Sequence, residues 1–274
     1  MPRRRKMSGN KPANPEWWKT FFTKWTGDLM FEHFVGGRTK REVDEILRKA
    51  KVGRDARVLD LACGRGRHSV EFAARGFQTV GLDYSKSYLA QAKRLRAGLR
   101  DPSLLRFIQG DMRNLERLCA AGSFDVVLSL FNSFGYLPAR CDDVDVLRQI
   151  AGVLKPGGAL VLGTISRSGV LHTLGKAGSR NWMEFGRGEF FLENSSYDAK
   201  GARLTSNWIL VDAGRHRLQR AAFEQNVYSR QELERHLRAA GLRVERVWGG
   251  LGTGKPFRPN VWDITLLARK RRNP

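Results

Sequence analysis

From Arg57 onward the chain alternates short apolar runs with segments of helical character, and this alternation limits the fold more than any other feature. The runs are VLDLAC (58–63), TVGLD (79–83), LRFIQGD (105–111), FDVVLSLF (124–131) and GALVLGTI (158–165), with helices predicted near 67–75, 85–98 and 142–153. Strands separated by helices form parallel βαβ units, whose crossovers are right-handed and whose sheet is covered on both faces. The apolar character of these runs is continuous rather than alternating, which fits burial on both sides. A doubly wound α/β domain follows.

Residues 178–228 break the rhythm. Strand-like segments at 182–186, 189–197, 202–212 and 215–228 are separated by turn signals at Asp198–Gly201 and Asp212–Gly214, which predicts an antiparallel β insertion. The α/β pattern then resumes. Ser229 and Glu232 have the spacing of a capping box, opening a helix that ends at Gly241, and strands near 242–248 and 261–268 complete the sheet. Ahead of the domain, Trp17, Trp18, Phe21, Phe22, Trp25, Leu29, Phe31 and Phe34 recur at helical spacing. Gly36-Gly37 breaks that stretch, and Thr39–Ala50 forms a second predicted helix.

Charge is the other extreme. Lys and Arg number 49 against 27 Asp and Glu, a net +22. Residues 1–14 carry five basic side chains and no acid, and residues 269–274 carry four, so nine of these charges fall in segments taken as tails. Such tails supply sequence-independent affinity for nucleic acid, whereas charge spread thinly over the body reads as a solvated surface. With 41% hydrophobic residues the chain buries a core, which excludes wholesale disorder. No apolar run approaches the ~18 residues of a membrane span, and the basic start lacks the apolar stretch of a secretory signal. Three cysteines (Cys63, Cys119, Cys141) without CxxC spacing argue against a disulfide framework or a metal site, and point to the reducing cytoplasm.

The chemistry sits at the ends of the runs. After Asp60, the loop Leu61-Ala62-Cys63-Gly64-Arg65-Gly66 opens a helix. Its glycines allow close approach of backbone to a ligand, and the helix start offers free N–H groups. The third glycine of a dinucleotide fingerprint is replaced by Ser69. The second run ends in Asp83, placed to accept from two ribose hydroxyls or to cap the next helix. The third ends in Gly110-Asp111-Met112, where a carboxylate can accept from an adenine amino group or simply hold a turn.

Together, VLDLACGRG, GLD (81–83), QGDM (109–112), FDVVLSL (124–130) and LKPGGALVL (154–162) resemble the class I S-adenosylmethionine-dependent methyltransferases. The resemblance implies a Rossmann-like, seven-stranded, mostly parallel sheet with its last strand antiparallel and the cofactor across the carboxyl ends. It implies that Asp60, Ala62, Gly64 and Gly66 hold the methionine moiety, Asp83 the ribose, Asp111 and Met112 the adenine, and that the Leu130 backbone faces the methionine end. Ala62-Cys63-Gly64 with Leu130-Phe-Asn-Ser-Phe134 is most similar to small-molecule enzymes of the glycine/sarcosine N-methyltransferase kind. These imply an N-terminal helical lid over 15–50, a domain over 51–270 with its β insertion after the fifth strand, and a basic tail at 271–274. Arg38 matches their lid arginine, which pairs with the cofactor carboxylate, and Trp25 is either a cover for the cofactor or plain core.

The implied reaction is in-line methyl transfer to a nitrogen or oxygen of a small-molecule acceptor, a task of alignment in which an amine must only be unprotonated. Asn132 and Tyr136 are the candidates for orienting that acceptor. Glu184, Glu193, Arg203 and Trp208 either line its pocket, or belong to a solvated face or a subunit contact of a homo-oligomer. His68 follows the glycine turn and reads as packing or cofactor edge, and Cys63 lies inside the loop, not as a nucleophile. An RNA methyltransferase working through its basic surface is the alternative, weakened by Ser129–Phe134 standing where Asn-Pro-Pro-Tyr or Asp-Pro-Pro-Tyr would be.

Overall fold

The computed structural model describes residues 14–22, 24–29, 38–175, 178–184 and 188–272. The five apolar runs become β1 (Arg57–Leu61), β2 (Gln78–Asp83), β3 (Leu105–Gln109), β4 (Phe124–Ser129) and β5 (Leu154–Ile165), each parallel to the others it pairs with. Two strands after the insertion, β10 (Leu242–Gly249) and β11 (Asp263–Lys270), extend the sheet to the order β10-β11-β5-β4-β1-β2-β3. Only β11 runs antiparallel to the other six strands. This is the expected seven-stranded sheet.

Burial on both faces explains the unbroken apolar runs. On one face Leu59, Leu61, Val127, Leu160 and Leu162 pack with Leu147 and Ile150 of α7 (Arg140–Val153) and Leu233 and Leu237 of α9 (Arg230–Ala239). On the other, Val58, Val126, Leu128 and Val161 meet Val43 and Ile46 of α3 (Thr39–Ala50) and Phe72 of α4 (Arg67–Ala74). Each fully buried aliphatic side chain contributes about 1.5–3 kcal/mol of transfer free energy. The helix after β2, α5 (Lys86–Ala97), is capped by Ser85, and the short α6 (Leu115–Leu118) follows β3. The Ser229–Glu232 capping box forms as expected, with Ser229 N–H donating to Glu232 Oε2 at 2.7 Å and Glu232 N–H to Ser229 Oγ at 3.2 Å.

Between α8 (Arg167–Leu174) and α9 lies the separate antiparallel sheet: β6 (Ser179–Glu184), β7 (Glu189–Asp198), β8 (Arg203–Asp212) and β9 (Arg217–Asn226). The aromatic N-terminal stretch is not one helix. It forms α1 (Trp18–Phe21) and α2 (Lys24–Leu29), with Phe22 leaving the helical region at ψ 71°. Phe31, Phe34, Gly36 and Gly37 lie outside the described residues, as do residues 1–13 of the basic arm and 273–274 of the tail. Trp17 and Phe21 pack on Phe223 of β9 (centroids 5.6 Å in both pairs), and Phe21 also meets Trp208 of β8 at 5.3 Å, so α1 seats on the inner face of the insertion. Arg269 and Lys270 are not tail residues. They continue β11, pairing with Arg243 and Leu242, because the apolar run Ile264–Ala268 carries the strand to the sheet's end.

Candidate active site

From β1 the chain leads to β2 and β3 on one side, while β4 and β5 lie on the other. Crossovers diverge at such a switch point and leave a crevice beyond the carboxyl ends of the strands. Here it is a cleft of about 1100 Å³.

Its floor is the loop after β1. Ala62 (φ 56°) and Gly64 (φ 56°) both adopt left-handed backbone, free for the glycine but strained at Ala62, as is typical of ligand sites. Gly66 is needed twice over: its φ is 76°, and a Cβ there would sit 2.9 Å from Ala92 and Phe107. Asp60, buried in β1, accepts from Ser69 N–H (3.1 Å) and Ser69 Oγ–H (2.6 Å). It thereby ties the first turn of α4 to the strand, and burial raises its carboxyl above the usual range. Cys63 lines the cleft with its thiol pushed well up by burial and by the nearby Asp60 and Asp83 charges, so it stays protonated.

Asp83 joins two loops. Oδ2 accepts from Gly64 N–H and Oδ1 from Ser85 N–H, both at 2.7 Å. Burial nonetheless raises its carboxyl to about 6. Each oxygen keeps a lone pair for a further donor. Asp111 lines the cleft with Met112, caps the turn that follows through Arg113 N–H (2.9 Å), and takes the Arg113 side chain on both oxygens. That guanidinium lies 5.3 Å from the Trp18 ring.

The walls are aromatic. Trp18 and Phe22 reach in from α1, Trp18 edge-on to Tyr84 (4.8 Å) and Phe22 against Tyr88 (5.8 Å) and Tyr136 (5.7 Å). Trp25 is not among the lining residues; Trp18 and Phe22 occupy the covering position. Burial pushes the Tyr88 phenol up to about 12 and that of Tyr136 higher, so both remain neutral.

The loop after β4 divides two cavities. Leu130 and Phe131 line both the cleft and a neighbouring cavity of about 430 Å³, whereas Arg38 and Asn132 line only the neighbour, beside Thr164 and Asp263. Phe131 (φ 54°) and Asn132 (φ 65°) are left-handed. Arg67 stacks on Phe131 at 4.1 Å, with Arg38 at 5.8 Å. Both arginines pair with buried Glu42, Arg38 at 3.3 Å, and His68 Nε2 lies 3.0 Å from the same carboxylate. Burial opposes the charge on Glu42, but bonds from His68 and Arg67 hold its carboxyl below the usual range; burial lowers His68. The sequence reading missed Arg67, although its place one residue past Gly66 marks it. It also missed Phe131, the residue between Leu130 and Asn132.

The insertion grips this loop from behind. Gln225 Nε2 donates to the carbonyls of Asn132 and Phe134, both at 2.9 Å. Asn226 Nδ2 donates to Leu137 O (2.9 Å) and to Asp143 Oδ2 (2.8 Å), which also accepts from Tyr228 O–H at 2.7 Å. Glu184, Glu193, Arg203 and Trp208 do not line the cleft. Glu193 Oε1 accepts from Ser206, Ser195 and Trp208, Arg203 donates to Pro138 O, and Glu184 lies exposed at the end of β6.

Comparison with known proteins matches this geometry. A methyltransferase-domain family model covers residues 58–158, from β1 into β5. The chain is 32% identical over 151 residues to the glycine/sarcosine N-methyltransferase of Halorhodospira halochloris, covering 55% of this chain and 54% of that protein. It is 30% identical over 215 residues to the cypemycin N-terminal methyltransferase of a Streptomyces species, covering 78% of this chain and 83% of that one. The CcbJ methyltransferase from Streptomyces caelestis shares the fold, with a TM-score of 0.79 at 20% identity over 92% of this chain and 99% of that chain. The chain spans about half the length of the first curated relatives it matches. Among the described residues no helix is long and apolar enough to cross a membrane. With strand order, glycine loop and carboxylates in register and a relative matched along most of its length, the chain belongs to the class I S-adenosylmethionine-dependent methyltransferases.

Proposed function

We propose that the protein transfers the methyl group of S-adenosylmethionine to an amine nitrogen of a small molecule. One observation supports the choice of nitrogen: the three carboxylates lining the cleft are already bound by donors, and the buried phenols beside them are neutral. Asp60 is bound by Ser69, Asp111 by Arg113, and Asp83 by two backbone N–H groups. His68 faces Glu42 through Nε2, and Tyr88 and Tyr136 are neutral. A hydroxyl acceptor wants a base at that point. An amine that sheds its proton on leaving water does not.

The cleft suits the cofactor on its own terms. Arg67 Nη2 is buried with no hydrogen-bond partner among the described residues, although its other nitrogen pairs with Glu42. We place the cofactor's carboxylate on that unused donor, since Arg67 lines the cleft and Arg38 does not. Asp83 accepts from the ribose, and Asp111 with Met112 borders the adenine. When bound, the cofactor supplies a methyl group on a positive sulfur that leaves without acid catalysis. The chain's work is therefore alignment. Trp18 and Phe22 exclude water, and Tyr136 and the Leu130–Phe131 backbone set where the nitrogen stands.

The names of the two relatives point the same way, one to glycine and sarcosine and the other to an N-terminus. We further place self-association on the outer face of the insertion, where Trp182, Leu192 and Leu218 are exposed, and the reaction in the cytoplasm, which suits three free cysteines. The test is transfer of labelled methyl from the cofactor into matched panels of small amines and alcohols, with total RNA in parallel. Label in amines alone is expected; label in RNA or only in alcohols overturns the assignment.

A further inference from the structure

A second region of the molecule carries charge that the cleft does not use. β10 is the last strand of the large sheet and pairs only with β11, so its outer edge has no ladder partner among the described residues. A bulge between Val244 and Arg246 leaves Glu245 and Arg246 both exposed. It also turns Arg246, opposite Leu267, onto the face that Arg243 and Arg269 share. Two grooves of about 980 and 650 Å³ meet on this strand and have Arg243, Val244, Glu245 and Arg246 in common. The first is bordered by Lys49, Lys51, Arg269 and Arg272, the second by Arg230, Arg238 and Arg271.

The acids here are outnumbered. Glu234 takes Arg230, and Glu245 takes Arg243 and Arg269. Lys49 pairs with Glu45 and lies over the Trp248 ring. Lys51, Arg238, Arg246, Arg271 and Arg272 have no ion-pair partner among the described residues. Like charges gathered along a concave edge raise the local potential and call for an anion. Guanidinium forks suit phosphate in particular. None of the exposed large apolar side chains lies in either groove, so nothing here enters a bilayer or stacks on a base. Eight strand residues span about 26 Å, the length of about eight phosphates along one strand of a duplex. Gly157, at the start of β5, and Arg269, near the end of antiparallel β11, put the groove at the amino ends of the parallel strands, away from the cleft.

We propose that the β10 edge binds a nucleic-acid backbone through its phosphates, without sequence preference, at a site separate from the active site. The site is independent of the methyl-transfer reading and stands if that reading fails.

The experiment is fluorescence anisotropy of the full-length protein with labelled random-sequence probes of about 20 units, duplex DNA in one arm and single-stranded RNA in the other, between ~50 and ~200 mM salt. Binding of either probe is expected, with log K falling linearly against log salt. Combining Arg238→Ala, Arg246→Ala and Arg272→Ala lowers affinity at least about tenfold and reduces the salt slope by about 3, one per lost phosphate contact. Cofactor affinity by calorimetry stays unchanged, which establishes that the variant is folded. The proposal is overturned by absence of binding to both probes at ~50 mM salt. It is equally overturned if the triple variant binds like wild type while Arg3→Ala, Arg4→Ala and Arg5→Ala abolish binding. Inorganic polyphosphate binding the groove more tightly, charge for charge, than either probe would overturn the choice of ligand.

Discussion

The two sheets are built on opposite plans. The large sheet is parallel and buried on both faces, and the carboxyl ends of its strands deliver Asp60, Asp83, Asp111 and Leu130 to fixed points around one cleft. The insertion is antiparallel, with Phe191, Trp208 and Phe223 on one face against α1 or its own core and Trp182 on the other, 67% exposed. Its strands bring no side chain into the cleft. It acts through the carbonyls that Gln225 and Asn226 hold. On the proposed function, cofactor recognition falls to backbone and carboxylates at the strand ends, and acceptor positioning to a support that reaches the cleft only through the loop it holds.

Breaking the first half of that contrast gives the largest effect. Asp83→Ala removes the ribose acceptor and two backbone bonds, and cofactor affinity is expected to fall about 100-fold or more, at the strength of hydrogen bonds to a charged group. Calorimetry reads this directly; unchanged affinity sinks the ribose assignment.

Titration reaches the same residue without mutation. The Asp83 carboxyl lies at about 6, above the ordinary 3.8, so protonation below pH 6 takes away the acceptor. Wild-type cofactor affinity is expected to drop by about tenfold per pH unit below that point, and to be flat in Asp83→Asn. Stability moves the other way. A carboxyl raised in the folded state favours the fold most below pH 3.8, and that contribution fades as pH rises through about 6. Asp143, also raised to about 6 by burial, adds to the same trend. Thermal unfolding between pH 4 and pH 8 in Asp143→Asn and wild type checks it: the variant should show the weaker decline.

The second half of the contrast predicts a split between binding and turnover. Gln225→Ala frees two loop carbonyls at a cost of about 1 kcal/mol each. Cofactor Kd should hold within about twofold while kcat/KM falls about tenfold. Loss of cofactor binding in parallel would mean that the two halves are not separable. The smallest effect belongs to the outer face. Trp182→Ser should change stability by less than about 0.5 kcal/mol and act only on self-association, which sedimentation reads.

The large sheet was legible in the sequence because its central strands, buried on both faces, leave apolar runs that few polar residues interrupt. Asp83 and Asp111 could be picked out for that reason. Side-chain direction after β4 was not legible. Asn132 read as a residue that orients the acceptor, yet it lines the cavity beyond Phe131, because two successive left-handed residues turn the loop and nothing in Leu130-Phe-Asn-Ser announces them; Arg38, read as the partner of the cofactor carboxylate, lines the same cavity. The aromatic stripe from Trp17 gave the right face but the wrong length: spacing records which side is apolar, not where the backbone leaves the helix. Arg269 and Lys270 fell inside the domain bounds but were counted with the tail charge, because charge near a terminus looks the same whether or not a strand carries it.

The clasp made by Gln225 and Asn226 also sets a rule for exchanging parts. A different sheet grafted between α8 and α9 would keep the loop after β4 in shape only if its return strand ended in two amides at those positions, followed by a tyrosine reaching Asp143. The same graft would also have to keep aromatic side chains where Trp208 and Phe223 stand, because they seat the helix that carries Trp18 and Phe22 to the cleft.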